Sequence, residues 1–498
     1  MRSTDQSGNS ARPGSPIRYG NPGGGRDDDP SPSAQPVANP LHAADRLRDV
    51  LVRLFGRPVP VRIRAWDGTE SGPVDAPLLT VRSRRALRRV LWRPDELGLA
   101  RAFVAGEVTV EDPLVDVLER LAELGGVAQR SAPTRPARPG GADRRELLRT
   151  AVLLGAVGPQ PKPPPEEAGE QLEPIPYRLA RLVLGETLAT GAADHAVLLG
   201  APAESEPGTE TDVAPEDADV GVGPAPAGVV HELGPTDGVR RPGAEADLDG
   251  AQRVALSAAW SSLGLLPGSR ILDLRAGWGA FLRAAGEQRA EGWGYVQSPE
   301  QAEAANARLA EAGLRSRVGV RVGHWQEATD GAPYDAVVAL GHTPGGSIRA
   351  DELAVIRDLL RPSGRLLVEV LTRRAADQPP DDGGLVGAYL GPEAALPTLG
   401  EAIGALDAAD LEVVQVTSIR QAAMATVRTW VARLEAHEDE AAELAGIGRI
   451  RLWRLLLAGL ATGLWSGKIG AHRVLARSSD GARPESLRQL PEQRAEAS

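Results

Sequence analysis

The sequence contains no cysteine, which excludes disulfides, thiolate nucleophiles and cysteine-based metal sites. Aromatic residues make up only 3% of the 498 residues, whereas 57 glycines and 41 prolines occur. This composition indicates that much of the length lies outside a packed core. No apolar core of a signal peptide and no run of about 18 apolar residues is present, so we predict a cytoplasmic protein without a membrane span.

The charge balance is acidic, with a net charge of −11 and an isoelectric point near 5.4. Such a balance argues against a nucleic-acid-binding surface, and we expect no nucleic-acid partner. The seven histidines are scattered along the chain without the spacing of metal ligands. We therefore predict no metal site.

Composition and periodicity divide the chain into seven segments. In order, these are a disordered tail over 1–40, an α+β domain over 41–125, a proline-rich linker over 126–175, a helical segment over 176–200, an acidic disordered insertion over 201–249, a larger domain over 250–478 and a disordered tail over 479–498. The segments predicted to be disordered are rich in Pro, Gly and charged residues and show no apolar periodicity.

Within the first domain, residues 43–55 show helical spacing and residues 59–66 alternate like a half-buried strand. Asp67-Gly68 predicts a hairpin turn, and we expect 78–81 to be the strand that returns from it. Two helices should follow, the first capped by Ser83. The sequence therefore predicts a small α+β domain.

The larger domain is organised around 268–279, which reads Gly-Ser-Arg-Ile-Leu-Asp-Leu-Arg-Ala-Gly-Trp-Gly. Its apolar part predicts a buried strand, and the glycines predict a turn into a helix that begins at Ala280. Small residues at such a turn let the backbone approach a ligand, and a helix N-terminus offers free N–H groups. Many strand-to-helix turns carry glycines without a ligand, so this stretch alone leaves both interpretations open.

Further strands are predicted after this turn, and helices alternate with them. The predicted strands are 292–296, 318–322, 335–340 and 364–371, and the helices are 299–312 and 351–360. This alternation is typical of an α/β fold with a doubly wound parallel sheet. Ligands bind such sheets at the carboxyl ends of the strands.

Several segments together resemble the cyclopropane-fatty-acyl-phospholipid synthase family, which includes mycolic acid cyclopropane synthases. They are 64–73, 86–89, 97–107, the turn 273–279, 388–397, 426–430, 451–459 and 467–470. The resemblance implies a Rossmann-like class I methyltransferase sheet that binds S-adenosylmethionine, beside an N-terminal domain that helps to contact lipid. Family members add the methyl carbon of this cofactor across a lipid double bond.

The resemblance also implies which residues hold the cofactor. They are Asp273, Gly277, Trp278, Gly279, Ser298, Gln301 and Trp325. Ser298 and Gln301 also fit a capping box with Pro299 at the first helical position, and Trp325 also fits a core position. Arg275 replaces a family glycine, where it would fill the methionine end of the pocket or pair with the cofactor carboxylate. We therefore expect binding of S-adenosylmethionine to be weakened or lost.

The family's catalytic unit is a bicarbonate ion held by a glutamate, a histidine, a tyrosine and a cysteine or backbone group. No tyrosine occurs between Tyr177 and Tyr295, and no glutamate occurs in 341–346. Ala422-Ala423 stands at the family's His-Tyr pair, and Leu456 and Arg473 replace a tyrosine and a glutamine. We therefore predict neither a bicarbonate site nor a catalytic residue, and we interpret His342 as a turn residue.

Two functional hypotheses follow. The first is a methyltransferase that acts on unsaturated fatty acyl chains of phospholipids and has lost cyclopropanation itself. The alternative is a catalytically inactive pseudoenzyme that serves as partner or regulator of an active lipid methyltransferase. Expected partners are membrane phospholipid or fatty acyl chains at the inner membrane face, with a homo-oligomer or an active paralogue as protein partner. The apolar helix 450–465 is either buried or a lid over an acyl-chain pocket.

Overall fold

The computed structural model describes residues 42–55, 58–129, 149–167, 175–191, 243–326, 328, 332–341, 350–374, 384–391 and 394–479. The predicted tail 1–40, residues 201–242 of the predicted insertion and the predicted tail beyond Ser479 lie outside the described residues.

A four-stranded sheet with helices forms the N-terminal part of the described chain. Its elements are α1 (Ala43–Phe55), β1 (Arg62–Arg64), β2 (Glu70–Ser71), β3 (Leu78–Val81), α2 (Arg84–Trp92), α3 (Glu96–Val104), β4 (Val108–Val110) and α4 (Leu114–Gln129), with the strands ordered β2-β1-β3-β4. Helix α1 buries Leu47 and Val50, as its spacing predicts. The hydroxyl of Ser83 accepts a hydrogen bond from the Arg85 N–H at 3.1 Å, which confirms the predicted cap of α2.

The strand that returns from the Asp67-Gly68 turn is β2. Gly68 has a φ of +82°, and the side chains of Arg64 on β1 and Glu70 on β2 pair at 2.7 Å across the antiparallel hairpin. The segment 78–81 is a strand, but it pairs in parallel with β1. The prediction that it closes the hairpin was wrong, because the two residues of β2 already occupy the antiparallel side of β1.

Part of the range predicted as linker packs against this sheet. Ala151, Leu154 and Ala156 are buried in the same core as Ile63 and Leu87. The short segment is also held by α2, because the Trp92 indole donates to the Gly158 carbonyl at 3.1 Å.

The second sheet has seven strands in the order β10-β11-β9-β8-β5-β6-β7. The strands are β5 (Arg270–Asp273), β6 (Glu291–Val296), β7 (Val318–Val322), β8 (Tyr334–Ala339), β9 (Leu360–Arg373), β10 (Leu411–Ser418) and β11 (Ile469–Ser478). Strands β5 to β9 pair in parallel, whereas β11 runs antiparallel between β9 and β10. The predicted doubly wound α/β sheet is confirmed.

Helices pack against this sheet and between it and the N-terminal part of the described chain. They are α5 (Tyr177–Leu184), α6 (Leu248–Leu263), α7 (Ala280–Glu287), α8 (Pro299–Glu311), α9 (Ala350–Leu359), α10 (Leu385–Leu390), α11 (Leu399–Ala408), α12 (Arg420–Ala436), α13 (Glu438–Ala445) and α14 (Ile447–Trp465).

One hydrophobic core joins the two sheets. It contains Phe103 and Leu114 from the N-terminal part and Val427, Ile450 and Ala458 from α12 and α14. Burial of α14 in this core favours the first of the two interpretations of the apolar helix. In the part of the chain that the structure describes, no helix combines the length and apolar character needed to cross a bilayer.

Candidate functional site

The candidate site lies where the order of strands reverses. From β5, the chain adds β6 and β7 on one side and then returns to add β8 and β9 on the other. A doubly wound sheet has its ligand crevice at the carboxyl ends of the two strands at this point. Here the crevice is formed by the turn 274–279 after β5 and by Gly341 after β8.

The two glycines of the turn have different structural roles. Gly277 and Gly279 have φ values of +49° and +80°, which glycine adopts without a steric penalty. A Cβ on Gly279 would lie 3.2 Å from the Cβ of Ala305, so Gly279 permits close packing on α8. A Cβ on Gly277 would meet only the Arg275 carbonyl oxygen at 3.8 Å. The turn is therefore open at Gly277, where a ligand can approach the backbone.

Asp273 ends β5 and is only 3% exposed. Its Oδ1 accepts a hydrogen bond from the Arg275 N–H at 3.0 Å. Burial raises the pKa of Asp273 to about 7, although the Arg275 N–H and the Arg275 charge both favour the ionised carboxylate. The carboxyl therefore titrates close to neutral pH and orients the start of the turn.

The raised pKa of Asp273 predicts a pH-dependent stability. Between the unfolded pKa of about 3.9 and a folded pKa near 7, the unfolded state binds fewer protons, so stability falls as pH rises. Asp273→Asn removes this loss. We expect the free energy of unfolding of the variant, relative to the natural protein, to gain about 2–4 kcal/mol between pH 4 and pH 8.

Urea denaturation at both pH values measures this difference. The control is Asp75→Asn, because Asp75 lies in an exposed loop and should show no comparable trend. An equal effect of Asp273→Asn at both pH values would mean that the native carboxyl is ionised throughout this range.

Arg275 lies across the crevice. Its Nη1 donates to the Gly341 carbonyl oxygen at 3.2 Å, and burial lowers its pKa, whereas the nearby Glu369 and Asp273 charges raise it. The cavity beside it has a volume of only about 30 Å³, which is room for roughly one or two waters. The arginine thus fills this end of the crevice, in agreement with one of its two predicted roles.

Glu369 and Arg473 complete the charged lining of this cavity, and sequence reasoning missed Glu369. It is 2% exposed on β9, and its Oε1 pairs with Arg473 Nη2 at 2.7 Å. Its Oε2 accepts the Gly341 N–H at 3.3 Å. The available signal was a single acid inside the apolar run 366–371, since a buried carboxylate requires partners.

A short segment after α5 covers the cavity. Gln252 on α6 holds it by donating to the carbonyl oxygens of Leu184 at 3.0 Å and Ala189 at 2.9 Å. A Cβ on Gly191 would lie 3.0 Å from Glu369 Oε2, so this segment packs directly on the buried carboxylate. Residues 188–191 therefore form one wall of the cavity that Asp273, Arg275, Glu369 and Arg473 also line.

The other predicted cofactor residues surround the crevice without lining this cavity. The indole of Trp278 is buried in the core, with its centroid 5.4 Å from that of Tyr177, so only its backbone faces the turn. Ser298 accepts the Gln301 N–H at 3.3 Å and precedes Pro299, which confirms the Ser298 half of the predicted capping box. Trp325 follows β7 and packs against the core. Their contact with a cofactor stays a prediction.

His342 lies outside the described residues. Within the described ranges, no cluster of three or more histidine, aspartate or glutamate side chains could hold a metal ion.

A seven-stranded sheet in this order, with a glycine turn after its first strand at the switch point, defines a Rossmann-like methyltransferase fold. Residues 241–474 match the family described as mycolic acid cyclopropane synthetase. This match covers most of the larger domain and confirms the resemblance found in the sequence.

Two relatives are named probable fatty acid methyltransferases. One, from Mycobacterium tuberculosis, is 26% identical over 437 residues, which cover 86% of this chain and 93% of the relative. The other, from Pseudomonas putida, is 30% identical over 235 residues, which cover 46% of this chain and 60% of the relative. Among solved structures, the cyclopropane synthase MmaA2 from M. tuberculosis aligns with a TM-score of 0.47 and 21% identity over 60% of this chain and 94% of its own.

Proposed function

We propose that this chain is an S-adenosylmethionine-dependent methyltransferase that acts on unsaturated fatty acyl chains of phospholipids. The family match of residues 241–474 and the names of the two relatives support this class of activity. The observation that carries the proposal is the glycine turn at the switch point, where Gly277 leaves the backbone open to a ligand.

The two ends of S-adenosylmethionine fit the crevice differently. The adenosine half fits the open turn, and Asp273, Gly277, Ser298, Gln301 and Trp325 are the residues that we propose to hold it. The methionyl half meets the cavity of about 30 Å³ beside Arg275, which is too small for it. Binding therefore requires the Arg275 side chain to leave the Gly341 carbonyl. When bound, this cofactor supplies an electrophilic methyl group.

We further propose that the product is not a cyclopropane. The lining of the cavity contains Asp273 and Glu369 together with Arg275 and Arg473, so its formal charges cancel at a pH above the pKa of Asp273. Arg473 and the Gly341 N–H already engage both oxygens of Glu369. Arg473 is therefore already neutralised by Glu369, and with Asp273 ionised the cavity has no surplus positive charge for a bicarbonate ion, since a buried anion needs a partner of its own.

Calorimetric titration of the full-length protein with S-adenosylmethionine tests the proposed function. We expect saturable micromolar binding that Gly277→Ala weakens at least tenfold, because its Cβ would enter the space left for the ligand. The left-handed φ of Gly277 adds a strain of about 1–2 kcal/mol to this variant.

The matched control is Gly268→Ala. Gly268 has a φ of +86° with nothing within 4 Å of a Cβ, but it lies before β5, at the opposite end of the strand. Similar binding by the two variants would contradict a cofactor site at the Gly277 turn.

A second candidate function is that of a non-catalytic partner of an active lipid methyltransferase. The observation that favours it is the filling of the crevice by Arg275 and the Glu369–Arg473 pair. Incubation with methyl-labelled S-adenosylmethionine and vesicles of unsaturated phosphatidylethanolamine separates the two. The first function predicts labelled acyl chains without a cyclopropane ring, whereas the second predicts none.

A further inference from the structure

A second and larger cavity, of about 500 Å³, lies between the N-terminal sheet and helices α12 to α14. Its volume falls in the range of small-molecule sites. The apolar part of its lining comes from Phe103, Val108 and Val110, which are buried. The remaining lining residues are Arg82, Thr109, Glu111, Pro113, Glu435, Glu438, Arg451 and Arg454. None of them belongs to the candidate site at the glycine turn.

The cavity contains three arginines and three glutamates, and one of each has a structural role. Arg454 Nε pairs with Glu435 Oε1 at 2.6 Å, and its Nη2 donates to the carbonyl oxygens of Val110 and Asp112 at 3.4 and 3.3 Å. The same Glu435 Oε1 also accepts the Leu114 N–H at 3.0 Å, at the start of α4. These contacts hold the cavity walls together.

The positive charges of the other two arginines are not neutralised by a carboxylate of the described residues. In the described part of the chain, neither Arg82 nor Arg451 pairs with a carboxylate. Arg451 is placed by packing, because its guanidinium occupies the position that a Cβ on Gly106 would take. Gly106 has a φ of +69°, which also favours glycine there. A guanidinium beside a cavity is a ready partner for a phosphate oxygen.

Two carboxylates are held only loosely. Glu111 lies 3.5 Å from Arg64 Nη1 and is 64% exposed, and Glu438 lies 4.0 Å from Arg454 Nη1. The buried hydroxyl of Thr109 also has no hydrogen-bond partner among the described residues. The cavity thus offers unused groups of both charges and one free hydroxyl.

We propose that this cavity binds a zwitterion, namely a phosphate ester that carries a primary ammonium group. Arg82 and Arg451 would bind the phosphate, and Glu111 and Glu438 the ammonium. An anion alone would leave the two carboxylates facing it, and a cation alone would leave the two guanidinium groups facing it, so only a ligand with both charges matches the lining. The inference rests on the proposed function where it identifies this ligand with a phospholipid headgroup.

Calorimetric titration of the full-length protein with phosphoethanolamine tests the site. We expect saturable binding at least tenfold tighter than that of inorganic phosphate or of ethanolamine alone. Arg451→Gln and Arg82→Gln should each weaken it at least tenfold, and Arg451→Lys should retain most of it. The control is Arg253→Gln, because Arg253 is exposed on α6 and should leave binding unchanged. Melting temperatures establish that each variant is folded.

Vesicle binding distinguishes a phospholipid headgroup from a free, soluble phosphate ester as the ligand of this cavity. Flotation with phosphatidylethanolamine vesicles should recover the natural protein, and Arg451→Gln should reduce this recovery to that seen with phosphatidylglycerol vesicles. Binding of free phosphoethanolamine without this vesicle preference would overturn the headgroup assignment and support a soluble ligand of the same chemistry. Equal affinity for phosphate and phosphoethanolamine, or no binding of either, would overturn the zwitterion site.

The titration with S-adenosylmethionine keeps this inference separate from the proposed function. Arg451→Gln should bind the cofactor like the natural protein, because Arg451 lines only the larger cavity. If the headgroup site fails its test, cofactor binding can still be observed. If cofactor binding fails, binding of phosphoethanolamine can still be observed.

Discussion

Arg275→Gly should bind S-adenosylmethionine at least tenfold more tightly than the natural protein. In the natural chain, the methionyl group has to displace a half-buried guanidinium that donates to Gly341 and lies near Glu369. Loss of one such contact costs about 1.5–3 kcal/mol, and a tenfold change in affinity corresponds to about 1.4 kcal/mol. Glycine removes the side chain and enlarges the cavity at the same time. Calorimetry at equal protein concentration measures the difference.

The control for this prediction is Arg275→Lys, which keeps a long cationic side chain and should bind close to the natural level. Weaker binding by the glycine variant would reverse the interpretation. Arg275 would then be a partner of the cofactor carboxylate, the other role that the sequence leaves open. A melting curve of each variant shows whether the turn still folds without the arginine.

Arg428→Met should lower the free energy of unfolding by about 3–5 kcal/mol. Arg428 on α12 pairs with Glu119 on α4, and their side chains are only 8% and 3% exposed. Removal of the guanidinium takes the Arg428 cation away from the buried Glu119 carboxylate, which is more costly than the loss of the contact itself. Because α4 and α12 share one core, we expect both sheets to unfold at a lower urea concentration in a single transition.

A double variant separates the ion pair from the packing. Glu119→Met with Arg428→Met removes both charges and should recover most of the lost stability. The exposed pair of Arg283 and Glu287 on α7 provides the control, since Arg283→Ala should cost only about 0.5 kcal/mol or less. A similarly small effect of Arg428→Met would mean that water reaches Glu119.

The fold of the larger domain could be predicted because its signals are local. Strands β5 to β9 each contain a short apolar run bounded by turn residues or by a segment with helical spacing, so each run can be located without its neighbours. By contrast, β10 has one buried residue at its start and is otherwise largely exposed, and β11 carries glycine, histidine and arginine. Neither has a clear period. The parallel pairing of β3 with β1 was missed for a related reason. The local sequence shows where a strand lies, whereas tertiary contacts determine which strand it pairs with.

The candidate site could be predicted only where it is built from one continuous stretch. Asp273, the glycines and Arg275 occupy a single turn, so their neighbourhood follows from the sequence. Glu369 meets Arg473 across 104 residues because β9 pairs with β11, and this pairing depends on the order of the strands. The covering segment 188–191 is likewise placed by Gln252 of α6. The pairing of Glu369 with Arg473 in the cavity could therefore not be predicted from residues that are neighbours in the sequence.

The position of β11 sets the order in which the sheet can be assembled. It is the last described strand along the chain, yet it lies inside the sheet, between β9 and β10. During synthesis, β9 presents an open edge, and β10 has no neighbour in the sheet until residues 469–478 emerge from the ribosome. Open edges recruit other chains. A nascent chain of this protein therefore passes through an aggregation-prone stage that lasts until β11 inserts, and β11 also brings Arg473 to the buried Glu369.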